Sequence, residues 1–148
     1  MTDHPERLLV RRAIDGGLRD LAVDSNPLAI SLGMRIVSAS DGRVRLGFTV
    51  GTAFTQGNGV VQGGIVAALL DFAMIFAAFS QTPAGMTLAT VSQTSNYFRP
   101  APAGELFAEA ELEKIGRSMV NARASLYGPD DSLLASATAP LAVIAMRT

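Results

Sequence analysis

Cysteine is absent from this chain of 148 residues, and histidine occurs once, at position 4. Without cysteine there is no disulfide, no thiolate nucleophile and no cysteine-ligated zinc. His4 falls in a stretch expected to be a mobile N-terminal tail, so no histidine is expected in the folded body. That excludes Ser-His-Asp and Cys-His catalysis and a multi-histidine metal site. An excess of one charge is lacking too: 12 basic and 13 acidic residues leave a net charge of -1. No electrostatic footprint for nucleic acid results, and no Lys/Arg cluster suits a membrane surface. The longest apolar run, Ile65 to Phe79, has 15 residues, short of the roughly 20 that span a bilayer. It also carries Asp71 near its centre, which adds about 2.5–3.5 kcal/mol to insertion. The first twenty residues are charged throughout and read as no signal peptide. The expectation is a soluble, cytoplasmic protein with no membrane or nucleic-acid partner.

What is present is a globular composition, 49% hydrophobic, sufficient for one domain with one core. Glu6 to Leu21 reads as an N-terminal helix weakened by Gly16 and Gly17. "SNPLAISLG" (25–33) reads as a short helix, capped by Ser25 or Asn26, with Pro27 in its first turn and Gly33 at its stop. In "RVRLGFTV", Val44, Leu46, Phe48 and Val50 alternate with Arg43, Arg45, Gly47 and Thr49, which is a strand with one buried face. "SASDG" before it reads as a turn, so Met34–Val37 should pair with that strand as a hairpin. The polar loop "GTAFTQGNG" leads to Gly63-Gly64 and a segment of strong helix formers, apolar all round, expected to be a helix buried on nearly every side.

Beyond it the chain is strand-like. "TLATVSQTSNYF" is β-rich and stops before Pro100. "ELFAEAELEK" puts Leu106, Ala108, Ala110 and Leu112 on one face and Glu105, Glu109, Glu111 and Glu113 on the other. Those glutamates read as a solvated face rather than a paired-carboxylate site. "SMVNARASLY" alternates likewise, and "LLASATAPLAVIAM" is a last strand with a bend expected at Pro140. Turn-linked strands imply an antiparallel sheet. The layout is α+β: a twisted sheet wrapped around one long helix.

The order "NPLAISLGMRIV", a hairpin, "GVVQGGIVAALLDFA", "SNYFRPAPAGE" and "KIGRSMVNARASLYGPDDSLLASATA" resembles the hotdog-fold acyl-CoA thioesterases, in particular the PaaI-like subgroup. The resemblance covers Pro27 to Ile144. It implies residues 1–26 as an N-terminal helical extension and 27–148 as the hotdog domain. It also implies an acyl-CoA substrate, no cofactor or metal, and a homodimer or dimer of dimers. By the same resemblance, the N–H of Gly63 polarises the thioester carbonyl, with Gly64 beside it at the substrate. Asp71 is the general base or nucleophile, Gln56 orients the reacting groups, and Thr90 holds the lytic water. Arg117 and Ser118 lie in a turn near bound CoA, and Arg99 is a candidate for its phosphates. The family usually has histidine where this chain has Gln62, a residue that can also donate and accept hydrogen bonds.

The chemistry suits those residue types. A helix N-terminus offers free N–H groups and the positive end of a dipole to a developing oxyanion. Glycine there allows close approach, and a carboxylate can activate water or attack the carbonyl. From Gly63 to Asp71 is eight residues, about 12 Å along a helix. A base and an oxyanion donor must both reach one centre within about 3 Å. One helix cannot easily do both, whereas two antiparallel helices from two subunits can. Apolar Val60, Val61, Ile65, Phe72 and Ile75 suggest an aromatic or medium-chain acyl group. The competing class is an acyl-CoA-binding protein without turnover, whose usual helix-turn-helix does not fit the residues before Pro27. A hotdog hydratase would want a catalytic Asp/His pair.

Overall fold

The computed structural model describes residues 2–147, so the outermost positions of the expected spans 1–26 and 27–148 lie outside it. Helix α1 (Pro5–Asp15) starts with proline at its first position and an acceptor side chain, His4 Nδ1, taking the Glu6 N–H. It ends at Asp15, six residues short of the expected Leu21, because Gly17 adopts a φ of +59° that stops a helix. Val10 and Ala13 of α1 are buried in the core, against β2 and α3. Strand β1 (Leu21–Ala22), unanticipated from sequence, pairs with β2. Helix α2 (Pro27–Ser31) is capped by Asn26, whose side chain accepts from the Leu28 and Ala29 N–H groups.

Strand β2 (Arg35–Ser40) runs through the expected "SAS" turn, which shrinks to Asp41-Gly42. Gly42 takes a φ of +80° there, which lets Ser40 pair directly with Arg43 of β3 (Arg43–Val50). A 3-10 turn at Thr52–Phe54 interrupts the following loop. Helix α3 (Gly63–Phe79) follows. Then come β4 (Met86–Thr90), β5 (Thr94–Tyr97), β6 (Gly104–Ile115), β7 (Met119–Tyr127) and β8 (Leu133–Ala145). The strand order is β1-β2-β3-β6-β7-β8-β4, with β5 also on β8, and every pairing is antiparallel.

The sheet wraps α3 with small side chains. Ala108, Ala110, Ala122, Ala124, Ala137 and Ala139 line its buried face, while α3 supplies Leu69, Leu70, Met74 and Phe76. Each such large side chain, fully removed from water, contributes about 1.5–3 kcal/mol. The alanines let the helix approach the strands closely, which is why an apolar helix can be surrounded by a continuous sheet. One stripe stays uncovered, contrary to the expectation of burial on nearly every side. Gly64, Ile65, Ala68, Asp71, Phe72 and Ile75 are exposed or half-buried. Their spacing places them on one helical face.

"TLATVSQTSNYF" is two strands rather than one, broken at 91–93. Pro140 lies inside β8, which runs unbroken from Leu133 to Ala145. Pro140 turns its main chain toward that break, where its carbonyl accepts the Val91 N–H, and β8 continues through it. A proline is tolerated there because no ladder partner needs its missing N–H.

On the face away from α3, three of the four glutamates of β6 are paired across strands. Arg45 bonds Glu109 at 2.6 Å, Arg35 bonds Glu105 at 3.3 Å, and Glu111 lies between Arg43 and Arg123. The Arg123 guanidinium holds the Glu111 carboxyl below the usual carboxylate range. A concavity of about 710 Å³ lies over this ladder and contains none of the candidate site residues.

Candidate active site

Asp71 is half-buried on the uncovered stripe of α3. Thr90, at the end of β4, donates its hydroxyl to Asp71 Oδ1 at 2.6 Å. Two features bring them together. The chain leaves α3 at Phe79 and returns as β4 beside the helix, and β4 pairs with β8 so that Thr90 lies opposite Leu141. Both residues line a cleft of about 290 Å³. The hydroxyl occupies one lone pair of the carboxylate and leaves Oδ2 available to accept a proton.

Gly63 opens α3, and its N–H and that of Gly64 have no acceptor among the described residues. They are two of the orphan donors of a helix start. The Gly63 carbonyl accepts from the Tyr97 hydroxyl at 2.8 Å, which fixes the peptide that follows the free N–H. A side chain built at Gly64 would meet nothing within 4 Å, and one at Gly63 would only touch the Tyr97 ring at 3.9 Å. Glycine is therefore not demanded there by the chain's own packing, and its use leaves the helix start open to an approaching group.

Two rulers separate these halves. Along α3, Gly63 and Asp71 are eight residues apart, about 12 Å. Along β8, Tyr97 pairs with Ala135 and Thr90 with Leu141. Those six residues amount to about 20 Å. Within one chain the free N–H groups and the carboxylate do not meet.

The remaining candidates divide the same way. The Arg99 N–H bonds the Leu134 carbonyl, and the Ser118 carbonyl accepts from Val143. Those points are nine positions apart along β8, roughly 30 Å. Arg99 therefore sits at the Gly63 end, while Arg117 and Ser118, both exposed in the β6–β7 turn, sit at the other. Gln56 is exposed, and its main chain closes a turn with Val60 and Gly59. Gln62 is also exposed, and its side chain makes no cap to α3. Its main chain anchors the loop, donating to the Phe54 carbonyl at 2.9 Å and accepting from Ile65 and Val66.

Sequence reasoning passed over three side chains. Tyr97 ends β5, and its bond to Gly63 crosses 34 positions. Gln93 donates to the Ala67 carbonyl of α3 and to Ser95, and so holds the β4–β5 break against the helix. His4, expected in a mobile tail, is half-buried, caps α1 and lies 4.6 Å from the Phe79 ring. It lines the same cleft as Asp71. A signal for it was present: an acceptor, then proline, then glutamate is a helix-start pattern.

Among the described residues no cluster of histidine and acidic side chains could hold a metal ion, and no helix is long and apolar enough to cross a membrane.

The family model of the thioesterase superfamily matches residues 58–135, just over half of the sequence. This chain belongs to the thioesterase superfamily. Its sheet wrapped on α3 is the hotdog fold of that family, and its relatives include PaaI-type proteins. A Halobacterium salinarum protein named as an inferred esterase is 35% identical over 121 residues, covering 78% of this chain and 80% of its own. Among solved structures, a thioesterase family protein from Silicibacter pomeroyi superposes with a TM-score of 0.77 at 33% identity, covering 82% of this chain and 91% of its own. A phenylacetic acid degradation-related protein from Ralstonia eutropha superposes with a TM-score of 0.77 at 29% identity, covering 90% and 98%. The free helix start at Gly63 offers donors to a developing negative charge, and the Asp71–Thr90 pair offers a proton acceptor.

Proposed function

We propose that the protein is an acyl-CoA thioesterase working as a homodimer, with Asp71 and Thr90 of one subunit facing Gly63 of the other. The observation that carries this is the hydroxyl-bound carboxylate in an open cleft, on the same helix as a pair of free N–H groups it cannot itself reach. The uncovered stripe of α3 supports the pairing, because it is apolar apart from Asp71 and suits a second copy of the same stripe.

In this reading Asp71 is the general base. A water held by Asp71 Oδ2 and Thr90 Oγ1 loses a proton to the carboxylate as its oxygen attacks the thioester carbon. The carbonyl oxygen becomes an oxyanion held by the partner subunit's Gly63 N–H. Collapse breaks the C–S bond, and the Asp71 proton goes to the departing CoA thiolate. The products are a free acid and CoA.

The experiment is a panel of acyl-CoAs with free thiol followed over time, beside sedimentation of the same preparation. Thiol release by a dimer or larger assembly is expected. Acyl-CoA that binds without turnover would point to a non-hydrolysing binder, and an active monomer at micromolar concentration would end the shared-site arrangement.

Two smaller predictions arise from the site. Thr90→Val keeps the volume and β-branching but deletes the hydroxyl. A hydrogen bond to a charged group contributes about 1.5–3 kcal/mol, so kcat should fall roughly tenfold to a hundredfold. An unchanged kcat would remove Thr90 from the machinery. Gln62→His should keep at least a substantial part of the activity, since the loop is anchored by the main chain of residue 62. Loss of turnover with an unaltered melt would instead assign that side chain a direct role.

A further inference from the structure

The cleft beside Asp71 has a second end. Its walls follow α3 from Asp71 past Phe72 and Ile75 to Phe79, with Leu88 and Thr90 of β4 opposite. Asp71 to Phe79 is eight residues, about 12 Å. At the Phe79 end the lining changes from apolar to polar, with His4, Glu6 and Asn26. The 4.6 Å contact between the His4 and Phe79 rings fixes that end two helical turns from the carboxylate.

Glu6 is only 8% exposed. Asn26 donates to its Oε1 at 2.9 Å. The Asn26 amide cannot turn over without uncapping α2, because its Oδ1 accepts from Leu28 and Ala29. Glu6 Oε2 receives no hydrogen bond among the described residues, yet no side-chain oxygen there is both sealed and unpaired. That oxygen therefore keeps an opening, and Glu6 lines the cleft. His4 Nδ1 accepts from the Glu6 N–H, so the neutral ring carries its proton on Nε2. This end wall is also tied down. Asp3 accepts from the Gly85 N–H at 3.3 Å, Arg7 donates to the Thr82 carbonyl at 2.6 Å, and Arg7 and Asp3 are ion-paired. These bonds fasten the segment to the connection between α3 and β4, the two walls of the cleft.

We propose that Glu6 is a specificity residue, and that the cleft takes acyl groups of medium length whose far end carries a hydroxyl. This rests on the thioesterase reading above. The hydroxyl donates to Glu6 Oε2. A methyl in its place would strip water from a buried carboxylate oxygen and offer no donor. A terminal carboxylate would meet like charge. The volume, about 290 Å³, is at the small end of ligand pockets and suits one such chain.

The test uses ω-hydroxyoctanoyl-CoA and nonanoyl-CoA, whose acyl groups have equal numbers of heavy atoms. Wild-type kcat/KM should favour the hydroxy ester by about tenfold or more. In Glu6→Met that ratio should collapse toward or below one, and in Glu6→Gln, which keeps an acceptor of the same size, part of it should survive. Thermal melts accompany each variant. A ratio that is the same in wild type, Glu6→Gln and Glu6→Met overturns the specificity proposal and leaves the thioesterase standing. Wild type that hydrolyses neither ester but releases thiol from another acyl-CoA of the panel overturns the specificity proposal alone, and no thiol from any acyl-CoA overturns both. Should Glu6→Met fail to fold, the wild-type ratio decides, and a preference for nonanoyl-CoA sinks the proposal.

Discussion

Replacing Asp71 with asparagine is expected to cut acyl-CoA hydrolysis by about 10²–10⁴-fold, the usual cost of losing a general base, while leaving the fold intact. The structural side of this expectation follows from the surroundings of Asp71. Its recorded partner is the Thr90 hydroxyl at 2.6 Å, and asparagine Oδ1 can still accept that bond. None of the ion pairs among the described residues includes Asp71. Breaking a buried ion pair would cost about 3–5 kcal/mol, or a melting shift of roughly 10 °C in a chain of this size. Among the described residues Asp71 has no such pair to break. A half-buried carboxylate on an apolar stripe is also a local burden, so the variant should melt no lower than wild type. Hydrolysis and a thermal melt on one preparation separate the readings. Normal turnover per folded molecule with a sharply lower melting temperature would end the catalytic assignment.

Much of this arrangement could be seen in the chain because it is local. The alternation at Val44, Leu46, Phe48 and Val50 is written into consecutive residues, and β3 occupies the span that alternation marked. The start of α3 was legible because glycines precede a run of helix formers. Asp71 stood out as a lone charge within that run. What escaped notice depends on contacts between distant parts. The break at 91–93 is set by β8 and by Gln93 reaching Ala67 across 26 positions. The open stripe on α3 could not be separated from its buried sides, because Ile65, Phe72 and Ile75 are as apolar as Leu69 and Leu70. Only the extent of the sheet decides which face it covers. The place of His4 near the chain start suggests a free tail, yet Arg7 and Asp3 fasten that segment to residues 82 and 85. The opposite placement of Arg99 and Arg117 likewise appears only once β8 is known to run between them.

The second large effect comes from Gly63→Pro. Gly63 is the first residue of α3, the position where proline fits best because no N–H is needed by the helix. Gln62 before it has φ -56° and ψ 137°, the extended conformation that a residue preceding proline requires. The Cβ of the new residue would meet Tyr97 only at ordinary contact distance, 3.9 Å. The substitution thus deletes a backbone donor while the helix keeps its start. Losing one oxyanion donor costs about 10²–10³-fold in kcat, with little expected change in the melt. Mixing this variant with Asp71→Asn then tests where the two groups meet. If each site joins Asp71 of one subunit to Gly63 of the other, a mixed dimer holds one intact site and one doubly damaged site. Random exchange at equal amounts makes half the dimers mixed, so about a quarter of wild-type activity should return from two nearly inactive proteins. If both groups served a site within one chain, every chain in the mixture would still lack one of them. Refolding the two variants together, and finding no recovery although exchange of subunits is seen, would overturn the shared site.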